Sequence, residues 1–286
     1  MLKHKTDRKT LEILYKSYVR PVLEYGNLLW SNCSIQESNL LENVQLEALR
    51  IITGMRRGTP HDKLYLESNI EPLQKRRKTQ KLLLMFKIIN EQTPKYLYEI
   101  IQPHINNTLQ YNIRHTNYFK TPLCRTVSYQ NSYFPLTMKE WNRINVEIRN
   151  SPTVQIFKNN IMKMNNINPS NTTDIFKYSL PRQLNILLTQ LRNNVSDLNS
   201  DRYNDYLIQD PSCSCGCPCE NKDHFFFHCN NYNNIRHHLE DIYQYVGYIN
   251  TDLITNGDQL LSNIQNKFIL DKVLEYISES NRFPRI

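Results

Sequence analysis

The sequence has little of what marks several large protein classes. It contains only 6 glycines in 286 residues, which argues against a glycine-rich barrel or a nucleotide-binding α/β enzyme. No run of 18 apolar residues occurs, so no membrane association is expected. Residues 1–6 lack the apolar stretch of a secretory signal. We therefore expect an intracellular protein of the nucleus or cytoplasm, not a secreted one.

Common catalytic motifs are also missing. The chain has no Walker A loop, no Gly-x-Ser-x-Gly sequence and no His-Glu-x-x-His sequence, and no two aspartates are adjacent. These arrangements support phosphate binding, nucleophilic catalysis or metal-assisted hydrolysis, so we expect neither catalysis nor a small-molecule substrate. The chain is nevertheless 40% hydrophobic and 22% charged, which is enough apolar side chain for a folded core.

Helical periodicity is the main pattern in the first 90 residues. Apolar residues recur at spacings of three and four over 10–25 and 36–53. Pro21 should kink or divide the first of these helices. Two more helices are predicted at 59–67 and 72–90, each with a proline near its start.

The remainder of the chain is less uniform. Residues 96–135 favour a loop-rich connector with two short strands, one of them near 126–129. Helical signals resume around Trp141 and Phe157, and Asn-rich residues 165–173 are the best linker candidate. Three more helices are predicted later in the chain, at 184–198, 235–245 and 264–278. The predicted fold class is mainly α.

Charge is distributed unevenly along the chain. Residues 1–170 hold 25 Lys and Arg against 13 Asp and Glu, whereas residues 171–286 hold 10 against 14. A basic half beside a Cys/His cluster favours a polyanionic partner such as RNA or DNA. A basic surface without a specific partner is the alternative.

A run of basic residues near the start of a predicted helix is the clearest candidate for phosphate contacts. The helix dipole disfavours cations there by roughly 0.3–1 kcal/mol each, so their placement indicates binding to a phosphate backbone. The candidate nucleic-acid-binding residues are Lys75, Arg76, Arg77, Lys78 and Lys81, extended by Arg56 and Arg57. A solvated helix face is the alternative.

Residues 213–229 contain five cysteines and two histidines. A Cys-x-Cys-Gly turn can present two thiolates to one ion, and a His and a Cys further on can complete a tetrahedral zinc site. We favour Cys213, Cys215, His224 and Cys229 as ligands of one structural Zn²⁺. Spacing alone leaves other choices open, namely the second pair Cys217 and Cys219, the additional His228, a disulfide, or thiols with no ligand role.

Several short motifs follow one another along the chain. They are Tyr18-Val-Arg-Pro-Val-Leu-Glu-Tyr-Gly26 with Leu29-Trp-Ser31, Leu41-Glu-Asn-Val-Gln-Leu-Glu-Ala-Leu-Arg-Ile-Ile-Thr-Gly54, Leu73-Gln-Lys-Arg-Arg77, Phe86-Lys-Ile-Ile89, Phe134-Pro135, Glu140-Trp-Asn-Arg-Ile144, Phe157-Lys158, Thr189-Gln-Leu-Arg192, Cys213-Ser-Cys-Gly216, Glu220, His224-Phe-Phe-Phe-His-Cys229, Tyr232 and Arg236. In this order they resemble the C-terminal region of non-LTR (LINE-type, jockey-like) retrotransposon reverse transcriptases.

The resemblance implies a division into three consecutive segments. Residues 1–95 would form a basic, thumb-like helical bundle, and residues 96–170 a connector. Residues 171–286 would form a helical module with a zinc-knuckle-like Cys/His cluster. It also implies RNA or DNA binding in the service of target-primed reverse transcription, and it supports the choice of Cys213, Cys215, His224 and Cys229, with Cys217 and Cys219 as extras.

One departure from that family decides the expected activity. The family's polymerase needs palm carboxylates, usually a paired Asp-Asp, to hold two divalent metals for phosphoryl transfer. This chain has no such pair, no palm-length region before the resembling segments and no endonuclease. We therefore expect a fragment of an RNA-directed DNA polymerase that binds nucleic acid but does not catalyse. A zinc-stabilised protein-interaction module and a non-functional pseudogene fragment are the alternatives.

Overall fold

The computed structural model describes residues 5–30, 32–105, 118–164 and 171–283. Within these ranges the protein is mainly helical, as the periodicity predicted, and the β-structure is a single bridge. None of the helices there combines the length and apolar character needed to cross a lipid bilayer. In chain order the helices are α1 Arg8–Leu14, α2 Arg20–Glu24, α3 Asn27–Trp30, α4 Ile35–Thr53, α5 His61–Ser68, α6 Leu73–Ile89, α7 Lys95–Ile101, α8 Val127–Gln130, α9 Tyr133–Asn142, α10 Val146–Arg149, α11 Val154–Met164, α12 Asp174–Tyr178, α13 Arg182–Arg192, α14 Asn199–Asn204, α15 His237–Val246, α16 Thr251–Asn256 and α17 Asn263–Ser280.

The chain packs into two compact units that are each discontinuous in sequence. Unit 1 comprises Met1–Val19, Leu46–Ile70 and Pro169–Ile286, and unit 2 comprises Arg20–Gln45 and Glu71–Asn168. These bounds differ from the three consecutive segments expected from the sequence, because segments far apart in the chain pack into the same core. The helix α4 contributes its first part to unit 2 and its last part to unit 1.

Unit 2 is organised around α6, which packs against α7, α9 and α11. The core of this unit is aromatic. The rings of Phe86 and Phe157 stack with their centroids 4.5 Å apart, and Trp141 lies 5.5 Å from Phe157. Burial of such side chains supplies most of the free energy that holds a small helical unit together.

Unit 1 has its core around α17, which packs against α12, α15 and α16. The buried ring of Tyr276 on α17 lies 5.4 Å from that of Phe225, and the Tyr276 hydroxyl donates to the Phe225 carbonyl at 2.6 Å. The side chain of Tyr276 thus joins α17 to the segment that carries the Cys/His cluster.

A buried ion-pair network also lies in unit 1. Glu67 at the end of α5 accepts from Arg8 Nη1 at 2.6 Å and from Arg192 Nη1 at 3.1 Å, and Arg8 Nε donates to Glu12 at 3.1 Å. Burial alone would raise the pKa of Glu67, but the two guanidinium groups outweigh it and hold that pKa below its usual value of 4.5. The carboxylate therefore stays ionised inside the protein.

Two of the predicted helices are confirmed almost to the residue, α4 and α6, since both have long apolar stripes and defined ends. The predicted helix at 59–67 begins at His61, one residue beyond Pro60. The expected kink at Pro21 takes a different form. Helical structure continues to Glu24, and the adjustment before the proline is a π-helical turn over Tyr15–Val19.

The expectation of two short strands within 96–135 is wrong for the described part of that range. The segment Val127–Gln130 is helical because the Thr126 hydroxyl caps it, accepting from the Tyr129 amide at 3.2 Å. A further helix, Lys95–Ile101, lies where a loop was expected. The isolated antiparallel bridge between Ile105 and Phe119 is all the β-pairing there.

The predicted linker at 165–173 lies mostly outside the described residues. Its last part is described and is anchored. The Thr173 amide donates to the Asn256 carbonyl at 2.9 Å, and the Thr172 hydroxyl donates to the Asn256 side chain at 2.9 Å. This end of the segment therefore belongs to the packed part of unit 1.

Gly54 ends α4 in a conformation that only glycine adopts easily. Its φ is +75°, and a Cβ at this position would lie 2.3 Å from Ile186 Cγ1. The Gly54 carbonyl accepts from Gln190 Nε2 at 2.8 Å, and the neighbouring Ile52 carbonyl accepts from Arg182 Nη1 at 2.7 Å. Close approach of α13 to the end of α4 thus depends on the missing side chain.

We predict that Gly54→Ala lowers the free energy of unfolding of unit 1 by about 2–4 kcal/mol, through the left-handed backbone and the clash with Ile186. Gly58→Ala is the matched control, because Gly58 has φ +90° but nothing within 4 Å of its Cβ position. Urea unfolding measures both. Equal losses in the two variants would show that the Ile186 contact is not the cause.

We also predict that Glu67→Gln costs about 3–5 kcal/mol of stability, because it removes the carboxylate that buried Arg192 meets and leaves buried Arg8 paired only with Glu12. The folded pKa of Glu67 is depressed, so its contribution is fully present above the usual value of 4.5 and is lost as the pH falls through the lower folded pKa. Urea unfolding from pH 7 down to pH 3 should show a smaller acid-induced loss in Glu67→Gln than in the wild type. Identical pH profiles would contradict this prediction.

Candidate metal centre

The first half of the Cys/His cluster is a tight turn. The Gly216 amide donates to the Cys213 carbonyl at 2.9 Å, and the Cys213 amide donates to the Cys217 carbonyl at 2.8 Å. Gly216 has φ +92°, which a glycine adopts without strain. The turn therefore orients the side chains of Cys213 and Cys215 towards one point, as the Cys-x-Cys-Gly pattern predicted.

The second half is a π-helical turn over His224–His228. Its hydrogen bond runs from the Cys229 amide to the His224 carbonyl at 2.8 Å, so residues five apart lie next to each other. The turn begins where the His224 amide donates to the Asn221 side chain at 2.8 Å. This geometry brings the imidazole and the last thiol to the same side of the backbone.

The four predicted ligands converge. The ligand atoms of Cys213, Cys215, His224 and Cys229 all lie within 4.8 Å of one another. Cys213 Sγ is 3.7 Å from Cys229 Sγ, and Cys215 Sγ is 3.3 Å from His224 Nε2. Thiolates that bind a tetrahedral ion at about 2.3 Å lie about 3.8 Å apart. The cluster has the donor set and spacing to hold a metal ion.

The alternative ligands lie outside this group. Cys217 Sγ contacts the Cys219 carbonyl at 3.6 Å, and both of these side chains are partly exposed. His228 points from the opposite end of the π-helical turn and is exposed. Among the residues described, every cysteine is a free thiol.

A buried aromatic and polar layer supports the cluster. Phe225 and Phe226, between the two ligands of the π-helical turn, are fully buried in the core of unit 1. The Cys229 carbonyl accepts from Arg236 Nη2 at 2.7 Å. Such contacts fix the ligands before an ion binds, which limits the entropy cost of binding it.

Sequence reasoning missed the ion pair that closes this region. Buried Glu220 accepts from Arg282 Nε and Nη2, both at 2.7 Å, and from the Asn199 amide at 2.9 Å. Arg282 is 62 residues away in the chain, so no local pattern could indicate the pairing. The pair joins the end of the chain to the loop between Cys219 and His224.

The electrostatics of the ligands favour an ion. Burial raises the pKa of the Cys229 thiol to about 12, so its thiolate needs a positive charge nearby. The Cys217 amide, as a hydrogen-bond donor, lowers the pKa of Cys215. Burial lowers the pKa of His224, which keeps the imidazole neutral and able to coordinate. A divalent cation supplies the charge that the buried thiol lacks.

The predicted nucleic-acid-binding residues of unit 1 are Arg56 and Arg57. The Arg56 guanidinium forms an ion pair with Asp197 and lies 3.9 Å from Asp205. Arg57 is exposed. One of these two cations is therefore neutralised by carboxylates of its own unit.

The basic run in unit 2 is split between surface and interior. Lys75 and Lys78 on α6 are exposed. Arg76 binds Glu24 through Nε at 2.5 Å and Nη2 at 3.0 Å. Arg77 is 5% exposed and Lys81 is 6% exposed.

The two buried cations have partners inside unit 2. Arg77 donates to the Ser38 hydroxyl and lies over the Trp30 ring, 5.5 Å from its centroid. Burial lowers the pKa of Lys81, and Glu140 partly offsets that effect. Of the five residues in the run that were expected to contact phosphates, Lys75 and Lys78 are therefore the two whose side chains are exposed to solvent.

No family model, curated protein or solved structure matches the chain. The resemblance to retrotransposon reverse transcriptases thus rests on the sequence motifs alone.

We predict that the full chain binds one metal ion, and that Cys229→Ser lowers its metal content and its thermal stability. Cys217→Ser and Cys219→Ser are the matched controls, because they remove neighbouring thiols outside the group. Elemental analysis after dialysis, combined with thermal melting, measures both effects. Equal metal loss in Cys217→Ser and Cys229→Ser would contradict the assignment of ligands.

Proposed function

We propose that this chain is a C-terminal part of a non-LTR retrotransposon reverse transcriptase that binds RNA or DNA through unit 2. The ordered motifs of the sequence support the family, and the distribution of charge in the structure supports the binding. In this proposal the chain contributes to target-primed reverse transcription by holding nucleic acid, without catalysing.

The distribution of charge is the observation that carries the proposal. Unit 2 has 16 Lys and Arg against 8 Asp and Glu, whereas unit 1 has 19 of each. The net charge of +8 of the whole chain therefore belongs to unit 2. Association with polyphosphate is driven by such a charge excess, through release of the counterions around the strand.

Exposed cations on α6 are the strongest candidates for phosphate contacts. Lys75 and Lys78 lie about one helical turn apart, which places them on neighbouring parts of the same surface. Lys87 near the end of α6 is also exposed. Because lysine ammonium groups contact phosphates and do not read base edges, binding through these exposed side chains should depend little on base sequence.

Zinc is the ion that best fits the cluster of Cys213, Cys215, His224 and Cys229. Three thiolates and one imidazole are a common donor set for tetrahedral Zn²⁺, and four protein ligands leave no position for a reactive water. One Zn²⁺ would therefore act structurally. It would tie the Cys-x-Cys turn to the π-helical turn and stabilise the surrounding part of unit 1.

A missing sequence motif supports a non-catalytic role, and the free thiols support an intracellular location. In the family that the motifs resemble, two-metal phosphoryl transfer usually relies on an adjacent Asp-Asp pair, and the sequence has none. Free thiols that serve as metal ligands persist in a reducing compartment, which favours the nucleus or cytoplasm. Primer extension by the purified chain would overturn the non-catalytic part of the proposal.

A second function, binding of another protein, is favoured by the exposed apolar side chains of the segment that contains α2 and α3. Glu24 and Asn27 face α6, with Asn27 hydrogen-bonded to Gln80, while Val22, Tyr25 and Leu29 are largely exposed. Exposed apolar groups of this size are typical of interaction surfaces. A chain with no salt-dependent affinity for either nucleic acid would favour this function over the first.

We predict that the zinc-loaded chain binds RNA or DNA with an affinity that falls steeply with salt, and that Lys75→Glu with Lys78→Glu weakens it about tenfold or more at low salt. The control is Lys9→Glu with Lys267→Glu, which makes the same change of net charge in unit 1, where both lysines are exposed. Fluorescence anisotropy titrations at several salt concentrations measure the affinities. The proposal fails if the wild type does not bind, or if the two double variants lose affinity equally.

A further inference from the structure

An extended segment of unit 2 presents an aromatic ring and a cation side by side. Phe119 forms the bridge with Ile105 and is 3% exposed, whereas Tyr118 is 43% exposed and Lys120 is exposed. Successive side chains of an extended segment point to opposite sides. Burial of Phe119 in the core therefore places Tyr118 and Lys120 together on the outer side.

The backbone of this segment is held from two directions. The Lys120 amide donates to the His104 carbonyl at 2.8 Å. The Asn142 side chain accepts from the Phe119 amide at 2.9 Å and donates to the Phe119 carbonyl at 2.8 Å. The backbone that carries the ring and the cation is thus fixed before any ligand arrives, so a ligand pays no entropy for ordering this backbone.

Two arginines accompany the segment. Arg149 on α10, which is buried, lies within electrostatic range of the Tyr118 hydroxyl, and Arg143, the residue after Asn142 in the chain, is exposed. Across the described residues, no ion pair joins Lys120 to a carboxylate. The cation of Lys120 is therefore available to an external anion.

We propose that residues 118–120 form a contact site for single-stranded nucleic acid, in which a base stacks on Tyr118 and an adjacent phosphate binds Lys120. The proposal rests on the nucleic-acid binding proposed for unit 2 and adds the type of strand. An exposed ring beside a cation fits an unpaired base and its phosphate, since each base offers a π-face only when it is not stacked in a duplex. In a duplex the bases are stacked on one another, so stacking on Tyr118 would add no binding free energy.

The test uses the zinc-loaded full chain and a short oligouridine containing one 2-aminopurine, with an RNA hairpin stem as the duplex probe. Tyr118→Ala should weaken oligouridine binding about tenfold and abolish the quenching of 2-aminopurine, while Tyr118→Phe retains both. Lys120→Gln should reduce the slope of log affinity against log salt by about 0.7. Hairpin binding should not respond to Tyr118→Ala.

Tyr203→Ala and Lys267→Gln are the matched controls, because they remove an exposed tyrosine and an exposed lysine from unit 1. Thermal melting checks that every variant is folded. If the wild type binds oligouridine and Tyr118→Ala binds it equally well, or loses hairpin affinity to the same extent, this inference is wrong while the proposed function of unit 2 stands. If the wild type binds neither probe, both are wrong.

Discussion

The structure around the Cys/His cluster depends on one constraint, the convergence of four ligand atoms from two separate turns. Cys213 and Cys215 come from a glycine-containing turn, and His224 and Cys229 come from a π-helical turn that places residues five apart side by side. Neither turn is long enough to have its own core. The phenylalanines between His224 and Cys229 pack into unit 1, and the ion that the ligands can hold would join the two turns across the remaining gap.

The two units differ in how far their charged side chains are neutralised within the protein. Unit 1 is neutral overall, and two of its buried arginine side chains, Arg8 and Arg192, meet a carboxylate at Glu67. Unit 2 carries the whole excess of positive charge, although part of its basic run, Arg77 and Lys81, is buried. Charge that is not neutralised within the protein is what a polyanion can use, and this is why the proposed binding surface is assigned to unit 2.

The sequence predicted those features that depend on neighbours in the chain. The helix α4 followed from a long apolar stripe and from Gly54 at its end. The residue types of the Cys/His cluster indicated a metal site, and the favoured set of Cys213, Cys215, His224 and Cys229 is the one that converges, although spacing alone had left other sets open. Features that depend on distant partners could not be read in this way. Arg282 binds Glu220 across 62 residues, and the buried positions of Arg77 and Lys81 reflect the packing of α6 and not their charge. The prediction of a strand near 126–129 was wrong because the Thr126 hydroxyl caps a helix there, and this cap outweighs the β-propensity of the residues that follow it.

The central claim is that three thiolates and one imidazole bind a single closed-shell ion. X-ray absorption spectroscopy at the zinc edge, on the zinc-loaded full chain in solution, tests it most directly. The account predicts three sulfur neighbours at about 2.3 Å and one nitrogen neighbour at about 2.0 Å, with no oxygen ligand. A spectrum that requires four sulfurs, or a water oxygen in place of the imidazole, would contradict it.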